Sequence, residues 1–356
     1  MRLKKLIIAL GIILALLMIV ATVATFFSGD ISQPKENVSI AVTGDVMFAR
    51  NMAGVLSLDS SPFAGVSNVT SKVDLLIVNF ENAATNSTNA VKGDVPLRCS
   101  PEYVPLLLAN NNTIATLANN HVFDYGVGGM RDTVSVLNKS GIVAIGAGEN
   151  ETEAHAGSTQ VINGRNITVF NYMDSNNFAE YGYEVMPYAN GSSPGYSAYG
   201  SDTARQQISQ ARGNGSDFII VSMHFGNEYS RSPNEDQIRI SHELIDAGAD
   251  VVIGAHPHVT QGIEMYNGKP ICYSLGNFIF DQSNTVTHRA YFVQIDLVND
   301  TGLLTVYPVN INGYLPYFMS PSEGSALLNE LNPQCSQLNI TDDGIGRLMF
   351  NLTTDN

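Results

Sequence analysis

The sequence predicts an α/β fold, in which one large domain of layered helices and sheets follows an N-terminal membrane anchor. Of the 356 residues, 44% are apolar, which is enough to bury a single large core. Short apolar runs rich in β-branched residues alternate with segments of helical spacing, a pattern typical of layered α/β domains. A disordered chain is excluded by the same composition.

The N-terminal segment predicts a helix that spans the cell membrane once. Three basic residues precede residues 6–27, which carry no charge and are numerous enough to cross a bilayer. The basic residues place the N-terminus in the cytoplasm and the domain outside the cell. A cleaved secretory signal peptide is the alternative, and it leaves the domain on the same side of the membrane. We therefore assign 1–29 as the anchor and 30–37 as a polar tether.

The domain at 38–312 is predicted to alternate strands with helices. Strands are expected at 38–43, 74–80, 113–117, 142–145, 167–172, 217–223, 250–253 and 269–274. Helices are expected at 101–110, 128–139, 201–213 and 234–247. This alternation favours sheets with helices packed on their faces.

The C-terminal part predicts a strand pair followed by an extension. The runs at 290–298 and 303–311 have the character of two strands joined by a turn at 299–302. Residues 313–356 are expected to pack on the domain as an extension, with a short helix at 325–331.

The charge of the chain excludes a nucleic-acid partner. The formal net charge is −15, from 18 Lys and Arg against 33 Asp and Glu. The anchor holds three of the cations and no acid, so the remainder carries about −18. Nucleic-acid backbones bind basic surfaces, and an anionic substrate of this domain needs a local cation such as a metal ion.

Asparagine sequons predict a glycosylated outer surface. Asn-x-Ser/Thr sequences occur at Asn37, Asn68, Asn86, Asn138, Asn166, Asn190, Asn299 and Asn339. The three cysteines, Cys99, Cys272 and Cys335, lack the spacing of a metal site and leave at least one thiol unpaired.

Unusual polar residues follow five of the predicted strands, at the position where open α/β sheets build their sites. They are, in chain order, Asp45, Glu81, Asn120, His121, His224, His256 and His258. Each one alone has an ordinary explanation as a turn residue, a helix cap or a satisfied core histidine. The pair around Pro257 is the most specific, because two imidazoles one residue apart can reach two adjacent metals. Together these carboxylate, amide and imidazole groups suit zinc, manganese or iron.

Six stretches around these residues match a known family in order and spacing. They are TGDVMFAR (43–50), IVNFEN (77–82), LANNHVFDYG (117–126), MHFGNEY (223–229), GAHPHV (254–259) and YSLGNFIFD (273–281). With them, the sequence resembles the CapA-type poly-γ-glutamate capsule-synthesis family, within the metallophosphatase-like (calcineurin-like) superfamily. The resemblance implies a four-layer α-β-β-α fold with two central sheets and a two-metal site between strand ends.

The resemblance also implies a role for each polar residue. Asp45 would bind the first metal, Glu81 would bridge both, and His258 would return to the first. The second metal would be completed by Asn120, His224 and His256. His121 would donate a proton to the leaving group or stabilise charge on the transferred phosphoryl group, with Asp45 and Asn120 as its catalytic partners.

Two positions depart from the superfamily pattern. Met47 stands where many metallophosphatases have a histidine, and a thioether is a poor ligand for these dications. We therefore expect the first metal site to be weak. The bridging position holds Glu81 where aspartate is usual, which changes the spacing of the two metals.

These features predict an extracytoplasmic, metal-dependent phosphoesterase-like protein of capsule or poly-γ-glutamate synthesis. Its expected partners are an anionic exopolymer or phosphoester substrate and other membrane subunits of a polymer synthesis or export machine. The residues expected to line the substrate cleft are Arg50, Arg98, Glu228 and Asn277. The alternative function is a non-catalytic subunit that binds the polymer or assembles such a complex.

Overall fold

Two β-sheets form the centre of the computed structural model, which describes residues 36–175, 187–335 and 337–352. The predicted anchor at 1–29 lies outside the described residues, as does most of the tether. Among the residues that the structure describes, no helix has the length and apolar character needed to cross a membrane. Strands and helices both occur throughout this region, so the predicted mixed α/β fold is confirmed.

The larger sheet has ten strands in the described part of the chain. They are β1 (Val38–Val46), β2 (Leu75–Phe80), β5 (Thr113–Thr116), β6 (Val143–Ile145), β15 (Asn277–Ile279), β16 (Arg289–Val298), β17 (Thr301–Asn312), β18 (Leu315–Phe318), β19 (Asn339–Ile340) and β20 (Gly346–Asn351). The order is β19-β20-β17-β16-β1-β2-β5-β6, with β15 paired to β1 and β18 to β17. Strands β1, β2, β5 and β6 are parallel, so their carboxyl ends share one edge of the sheet.

The smaller sheet has six strands in the same described ranges. They are β8 (Ser158–Ile162), β9 (Arg165–Met173), β11 (Phe218–His224), β12 (Val251–Ala255), β13 (Ile263–Tyr266) and β14 (Lys269–Cys272), in the order β13-β14-β12-β11-β9-β8. Its four central strands are parallel, and β8 and β13 close the edges in the antiparallel sense. Two short ribbons pair β3 (Ala83–Ala84) with β4 (Arg98–Cys99) and β7 (Ala147–Gly148) with β10 (Gly195–Tyr196).

The helices lie between these strands in the sequence. The α-helices are α1 (Ser67–Thr70), α2 (Gly126–Lys139), α3 (Glu151–Ala154), α4 (Ser201–Gly213), α5 (Glu235–Asp246) and α6 (Pro321–Leu331). Short 3₁₀ helices span Arg50–Gly54, Ala64–Val66, Pro101–Leu107, Thr285–His288 and Asn332–Gln334.

Alternate side chains of the central strands divide among three hydrophobic clusters. Ile40 of β1 packs in one cluster with Ile220 of β11, between the two sheets. Their chain neighbours Ala41 and Val221 belong to two other clusters, the first shared with α2 and the second with α4 and α5. Because successive strand residues point to opposite faces, these clusters separate a helix layer, two sheets and a second helix layer.

The segment predicted as a helix at 101–110 is shorter and of a different type. It forms a 3₁₀ helix over Pro101–Leu107 rather than an α-helix. Pro105 lies inside it, and proline has no N–H for the α-helical hydrogen bond. The predicted helix is therefore present in 3₁₀ form, and it ends three residues before the predicted end.

The C-terminal residues add strands to the larger sheet. Strands β18 and β20 both pair with the edge of β17 that β16 does not occupy, β20 along Thr301–Val306 and β18 along Val309–Asn312. The predicted helix at 325–331 begins earlier, at Pro321, because Ser320 and Glu323 form a capping box. The predicted turn at 299–302 is also tighter: Val298 pairs with Thr301, leaving two residues in the turn.

Position 44 requires glycine because two strands of the larger sheet approach each other closely there. The Asp45 N–H donates to the Gly276 carbonyl oxygen over 3.1 Å. A Cβ atom on Gly44 would lie 1.9 Å from that oxygen, far inside van der Waals contact. Strand β1 therefore continues through Gly44 to Val46, beyond the predicted end at 43, and presents Asp45 from within a paired strand.

We expect Gly44→Ala to lower the free energy of unfolding by about 1–3 kcal/mol, because the added methyl group forces β15 away from β1. Gly128→Ala in α2 is the matched control, since an added Cβ there meets no atom within 4 Å. That control should keep or raise stability, because alanine favours a helix more than glycine does. Urea unfolding of the full chain, followed by circular dichroism, measures both changes, and equal stability of Gly44→Ala and the wild type would contradict this packing.

Candidate metal centre

The carboxyl ends of strands from both sheets meet at one place, where four of the predicted ligand residues are buried. Asp45 lies near the end of β1, and Glu81 directly follows β2. His224 ends β11, and His256 directly follows β12. All four are at most 1% exposed, so this is an internal polar site between the sheets.

The side chains form two overlapping groups with the chemistry of metal ligands. Asp45, Glu81 and His258 make one group, and Glu81, His224 and His256 make the other. Within each group, one ligand atom from each residue lies within 4.8 Å of the others. Glu81 is common to both, which is the position that a bridging carboxylate would take.

The carboxylate of Glu81 fits a bound cation. Its Oε1 atom is buried and accepts no hydrogen bond from the residues that the structure describes. His258 Nε2 lies 3.9 Å from this oxygen, beyond hydrogen-bonding distance. A buried carboxylate oxygen that accepts no hydrogen bond is energetically unfavourable. A divalent ion would supply the positive charge that stabilises it.

The electrostatics of Glu81 agree with this interpretation. Burial raises the pKa of Glu81 well above its usual range, and the negative charges of Asp45 and Glu228 raise it further. The positive charge of Lys92 opposes the shift only in part. The carboxyl group therefore keeps a proton more readily than usual until a cation displaces it.

The two deepest histidines are held neutral. Burial lowers the pKa of His224 and of His256 well below the usual value, and the neighbouring imidazoles lower both further. Their ring centroids are 4.8 Å apart. Neutral imidazole is the form that binds metals, so these two side chains are prepared as ligands.

His258 differs from the other two because it faces a carboxylate. Its Nδ1 atom lies 3.1 Å from Asp45 Oδ2 and 2.9 Å from Asn277 Oδ1. Burial disfavours the charged ring, but Asp45 and Asn277 outweigh it and the pKa of His258 is raised. Asn277, which was expected in the substrate cleft, instead lies behind His258 and orients its ring.

Three asparagines hold the ligands in place. The Asn79 amide donates to Asp45 Oδ1 over 2.8 Å and to Glu81 Oε2 over 3.4 Å. Asn119 donates to Asn79 Oδ1, and the next residue, Asn120, places its Oδ1 3.0 Å from His224 Nε2. This amide chain links strand ends of the two sheets and brings Asn120 to the second ligand group.

His121 lies at the wall of the site and is oriented by Asp124. His121 Nδ1 is 2.6 Å from Asp124 Oδ2, and Lys92 Nζ is 3.3 Å from the same ring nitrogen. With Nδ1 committed to Asp124, Nε2 is the nitrogen that remains for proton transfer. Burial lowers the pKa of His121, while Asp124 partly opposes the shift.

A cavity of about 770 Å³ opens beside His121 and His258. Arg50 and Glu228, two of the residues expected in the cleft, line it. Arg50 forms an ion pair with Asp281, which also accepts a hydrogen bond from the Asn51 backbone.

Arg98, also expected in the cleft, lies elsewhere. It is not among the described residues that line the cavity. Its guanidinium donates to the Thr85 carbonyl and lies 5.8 Å from the centre of the Tyr125 ring.

Unusual backbone conformations collect around this cavity. Nine non-glycine residues in the described ranges have positive φ, and three of them are asparagines in turns. The other six are Arg50, Val95, Tyr229, His256, His258 and Tyr314. Five of these six line the cavity, and His256 is a candidate ligand beside it. Such residues are held in place by the surrounding structure and concentrate at functional sites.

Met47, which the sequence predicted to stand in place of a histidine ligand, belongs to a hydrophobic cluster. It is fully buried with Phe48 and Phe80, and its sulfur accepts a hydrogen bond from the Ala49 backbone. The first ligand group therefore consists of Asp45, Glu81 and His258 in the described part of the chain, without a contribution from Met47.

Three further residues of the site were not predicted from the sequence. Asn79 interrupts the apolar run of β2, and a polar residue inside a buried strand was a signal for it. Asp124 was part of a motif but received no role. Lys92 lies in a polar loop between sequence motifs and had no signal, because nothing in that loop predicts that it folds into the cavity.

We expect Glu81→Gln to stabilise the metal-free protein at pH 7 and to abolish its stabilisation by metal. A carboxyl group whose pKa is higher in the folded state than in the unfolded state destabilises the fold when the pH rises above the unfolded-state pKa. Glutamine removes this destabilisation. The melting temperature should rise by about 3 °C, with a difference that shrinks toward pH 4.5. Added Mn²⁺ should raise the melting temperature of the wild type only.

The matched control is Glu102→Gln, at an exposed position of the first 3₁₀ turn after β4. It should melt like the wild type with and without Mn²⁺. A metal-free Glu81→Gln protein that melts below the wild type from pH 5 to pH 8 would show that Glu81 stabilises the apo site, contrary to this electrostatic interpretation.

The comparisons with known proteins agree with the motif resemblance. A family model described as "Bacterial capsule synthesis protein PGA_cap" matches residues 39–282. The "PGA biosynthesis protein CapA" of Bacillus subtilis (strain 168) is 34% identical over 307 residues, 82% of this chain and 78% of that protein. The "Capsule biosynthesis protein CapA" of Bacillus anthracis is 32% identical over 287 residues, 78% of this chain and 68% of that protein.

Among solved structures, the NAD nucleotidase NadN of Haemophilus influenzae aligns over 85% of this chain and 63% of that one. The identity is 14% and the TM-score is 0.48. The fold is therefore assigned from the sheet topology and not from this similarity. The family model and the two relatives settle the membership: the chain belongs to the bacterial capsule synthesis protein family PGA_cap.

Proposed function

We propose that this protein is a metal-dependent, phosphoesterase-like enzyme with a metallophosphatase-like four-layer fold. It acts outside the membrane in capsule or poly-γ-glutamate synthesis, anchored by residues 6–27. The observation that carries the proposal is the position of Glu81, which is common to two groups of potential ligands. The names of the relatives supply the biological setting, capsule and PGA biosynthesis.

Divalent ions held by Asp45, Glu81 and His258 and by Glu81, His224 and His256 would supply Lewis-acid chemistry to a phosphoryl or related centre. Manganese, zinc and iron all suit this mixed set of oxygen and nitrogen ligands. The ligands are buried between two sheets, so little rearrangement is needed when the ions bind.

His121 carries the proton chemistry in this proposal. Its Nδ1 atom is bound to Asp124, so the proton moves at Nε2. Burial disfavours the charged ring in the empty cavity. An anionic substrate adds its own negative charge to that of Asp124, which favours protonation of His121 when the leaving group needs a proton.

The charge of the molecule makes the metal site necessary for substrate binding. The part outside the anchor carries about −18, so an anionic polymer or phosphoester is repelled except where cations are concentrated. The candidate metal centre and the cavity beside it form such a place. Other membrane subunits, a glycosylated surface and the single-pass anchor belong to the same proposal.

A non-catalytic polymer-binding subunit is the second candidate. The position of Met47 favours it, because the first ligand group has only three residues of the usual ligand types among the residues described. A weakly held first ion would leave a site that retains an anionic polymer without hydrolysing an ester.

We expect His258→Ala to lower both the metal content and the hydrolysis of bis(p-nitrophenyl) phosphate, the latter by 100-fold or more. His121→Ala should keep the metal and lose about 10²–10⁴-fold in kcat, because a general acid contributes on that scale. His242→Ala is the matched control: His242 stacks on Tyr266 and contacts Glu264, in neither ligand group. It should keep full metal content and activity.

Metal analysis and steady-state kinetics on the full chain in detergent decide between the candidates. Unchanged hydrolysis in His258→Ala overturns the enzymatic proposal. A wild-type protein that contains metal and retains polyglutamate, but turns over none of a panel of phosphoesters, supports the binding subunit instead.

A further inference from the structure

Lys92 is a buried lysine that the sequence motifs do not mark. It is 4% exposed, although lysine is seldom buried unless it has a specific partner or role. It lines the 770 Å³ cavity together with His121 and His258. This buried cation thus lines the same cavity as His258, one of the candidate ligands.

The loop around Lys92 is fixed in place by Asp124. The backbone N–H groups of Val91 and Lys92 donate to the Asp124 carbonyl over 2.8 and 3.3 Å. The Leu97 N–H donates to Asp124 Oδ2 over 2.7 Å. Because the same carboxylate orients His121, the loop and the candidate general acid are held by one residue. Lys92 is thus positioned relative to His121 rather than carried on a mobile surface loop.

The ammonium group lies close to His121, the candidate general acid. Lys92 Nζ is 3.3 Å from His121 Nδ1, 3.4 Å from the Asn120 carbonyl and 3.7 Å from Asp124 Oδ1. Its charge also acts on Glu81, the carboxylate common to both ligand groups. An anion bound beside the metals therefore lies within the field of Lys92.

Lys92 differs in its setting from the other described lysine that is buried. Lys269 Nζ lies 2.8 Å from Asp250 Oδ1 and 2.8 and 3.2 Å from the carbonyls of Asn351 and Leu352. Those contacts join β14 to the C-terminal strand β20, so Lys269 has a structural role. Lys92 contacts His121, Asn120 and Asp124, which belong to the site or support it.

The cavity has few other cations to hold an anion. Apart from histidines, Arg50 and Lys92 are the cationic residues among the described lining residues. The Arg50 side chain is 36% exposed at the mouth and is paired with Asp281. Asp94 and Glu228 add negative charge to the lining. Among the described lining residues, Lys92 is therefore the lysine or arginine that is buried.

We infer that Lys92 binds a negatively charged oxygen of the substrate beside the metal centre and so restricts the site to substrates with an anionic reacting group. The inference rests on the proposed function, because it assumes that the ligands of the candidate centre hold metal. A phosphomonoester or phosphodiester has such an oxygen, whereas a neutral ester does not. Lys92 is then a specificity residue that supplements the metals.

The test is the affinity of the Mn²⁺-loaded full chain for inorganic phosphate, measured by isothermal titration calorimetry in detergent. Lys92→Met should weaken phosphate binding about 10- to 100-fold, the range expected for a hydrogen bond to a charged group. Lys92→Arg keeps the charge and should stay within a few-fold of the wild type. Lys269→Met is the control for removal of a buried lysine, and it should melt at a lower temperature but bind phosphate normally.

Metal content and melting temperature are measured for every variant. If Lys92→Met and the wild type bind phosphate equally, or if Lys92→Met loses no more affinity than Lys269→Met, the inference is overturned while the metal centre stands. If Lys92→Met does not fold, Lys92→Gln replaces it and is judged by the same comparison.

Failure of the proposed function has a different signature. A wild-type protein that binds phosphate through Lys92 but hydrolyses no ester leaves the inference standing and overturns the enzymatic proposal. A metal-loaded wild type that neither binds phosphate nor hydrolyses an ester overturns both.

Discussion

The burial of Asp45 and Glu81 side by side between two sheets is the constraint on which the rest of the site depends. Two carboxylates close to each other repel, and burial together with the charge of Asp45 raises the pKa of Glu81 well above its usual range. The protein surrounds them with three imidazoles and a chain of amide side chains. This arrangement leaves negative charge that a divalent cation would balance, which gives the site the character of a candidate metal centre.

The architecture supplies this arrangement through parallel strands. In each sheet the carboxyl ends of parallel strands share an edge, and packing of the two sheets places the two edges together. Gly44 allows β15 to approach β1, and the pair Asp45 and Asn277 then lies in register across these strands. Asn277 orients His258, so strand pairing itself positions one of the ligands.

Some residues that surround the site hold two of its parts in place at once. Asp124 orients His121 and also anchors the loop that brings Lys92 to the cavity. Asn79 contacts both carboxylates, so one amide links two of the three residues in the first ligand group. Substitution of such residues is expected to affect several properties together, which makes the directly contacting side chains better subjects for experiment.

The sequence alone determined the fold class and several candidate site residues, because local patterns locate the ends of the strands. Alternating apolar runs and helical segments determined the α/β class, and the residues after the runs supplied Asp45, Glu81, His224 and His256. Only the tertiary structure decided which of these side chains share a ligand group, since Glu81 and His256 are far apart in sequence and meet through sheet packing. It also decided that Asn277 supports His258, that Arg98 lies away from the cavity and that Lys92 enters it. Loop residues such as Lys92 have no periodicity, and their position depends on distant hydrogen-bond partners that a local pattern does not specify.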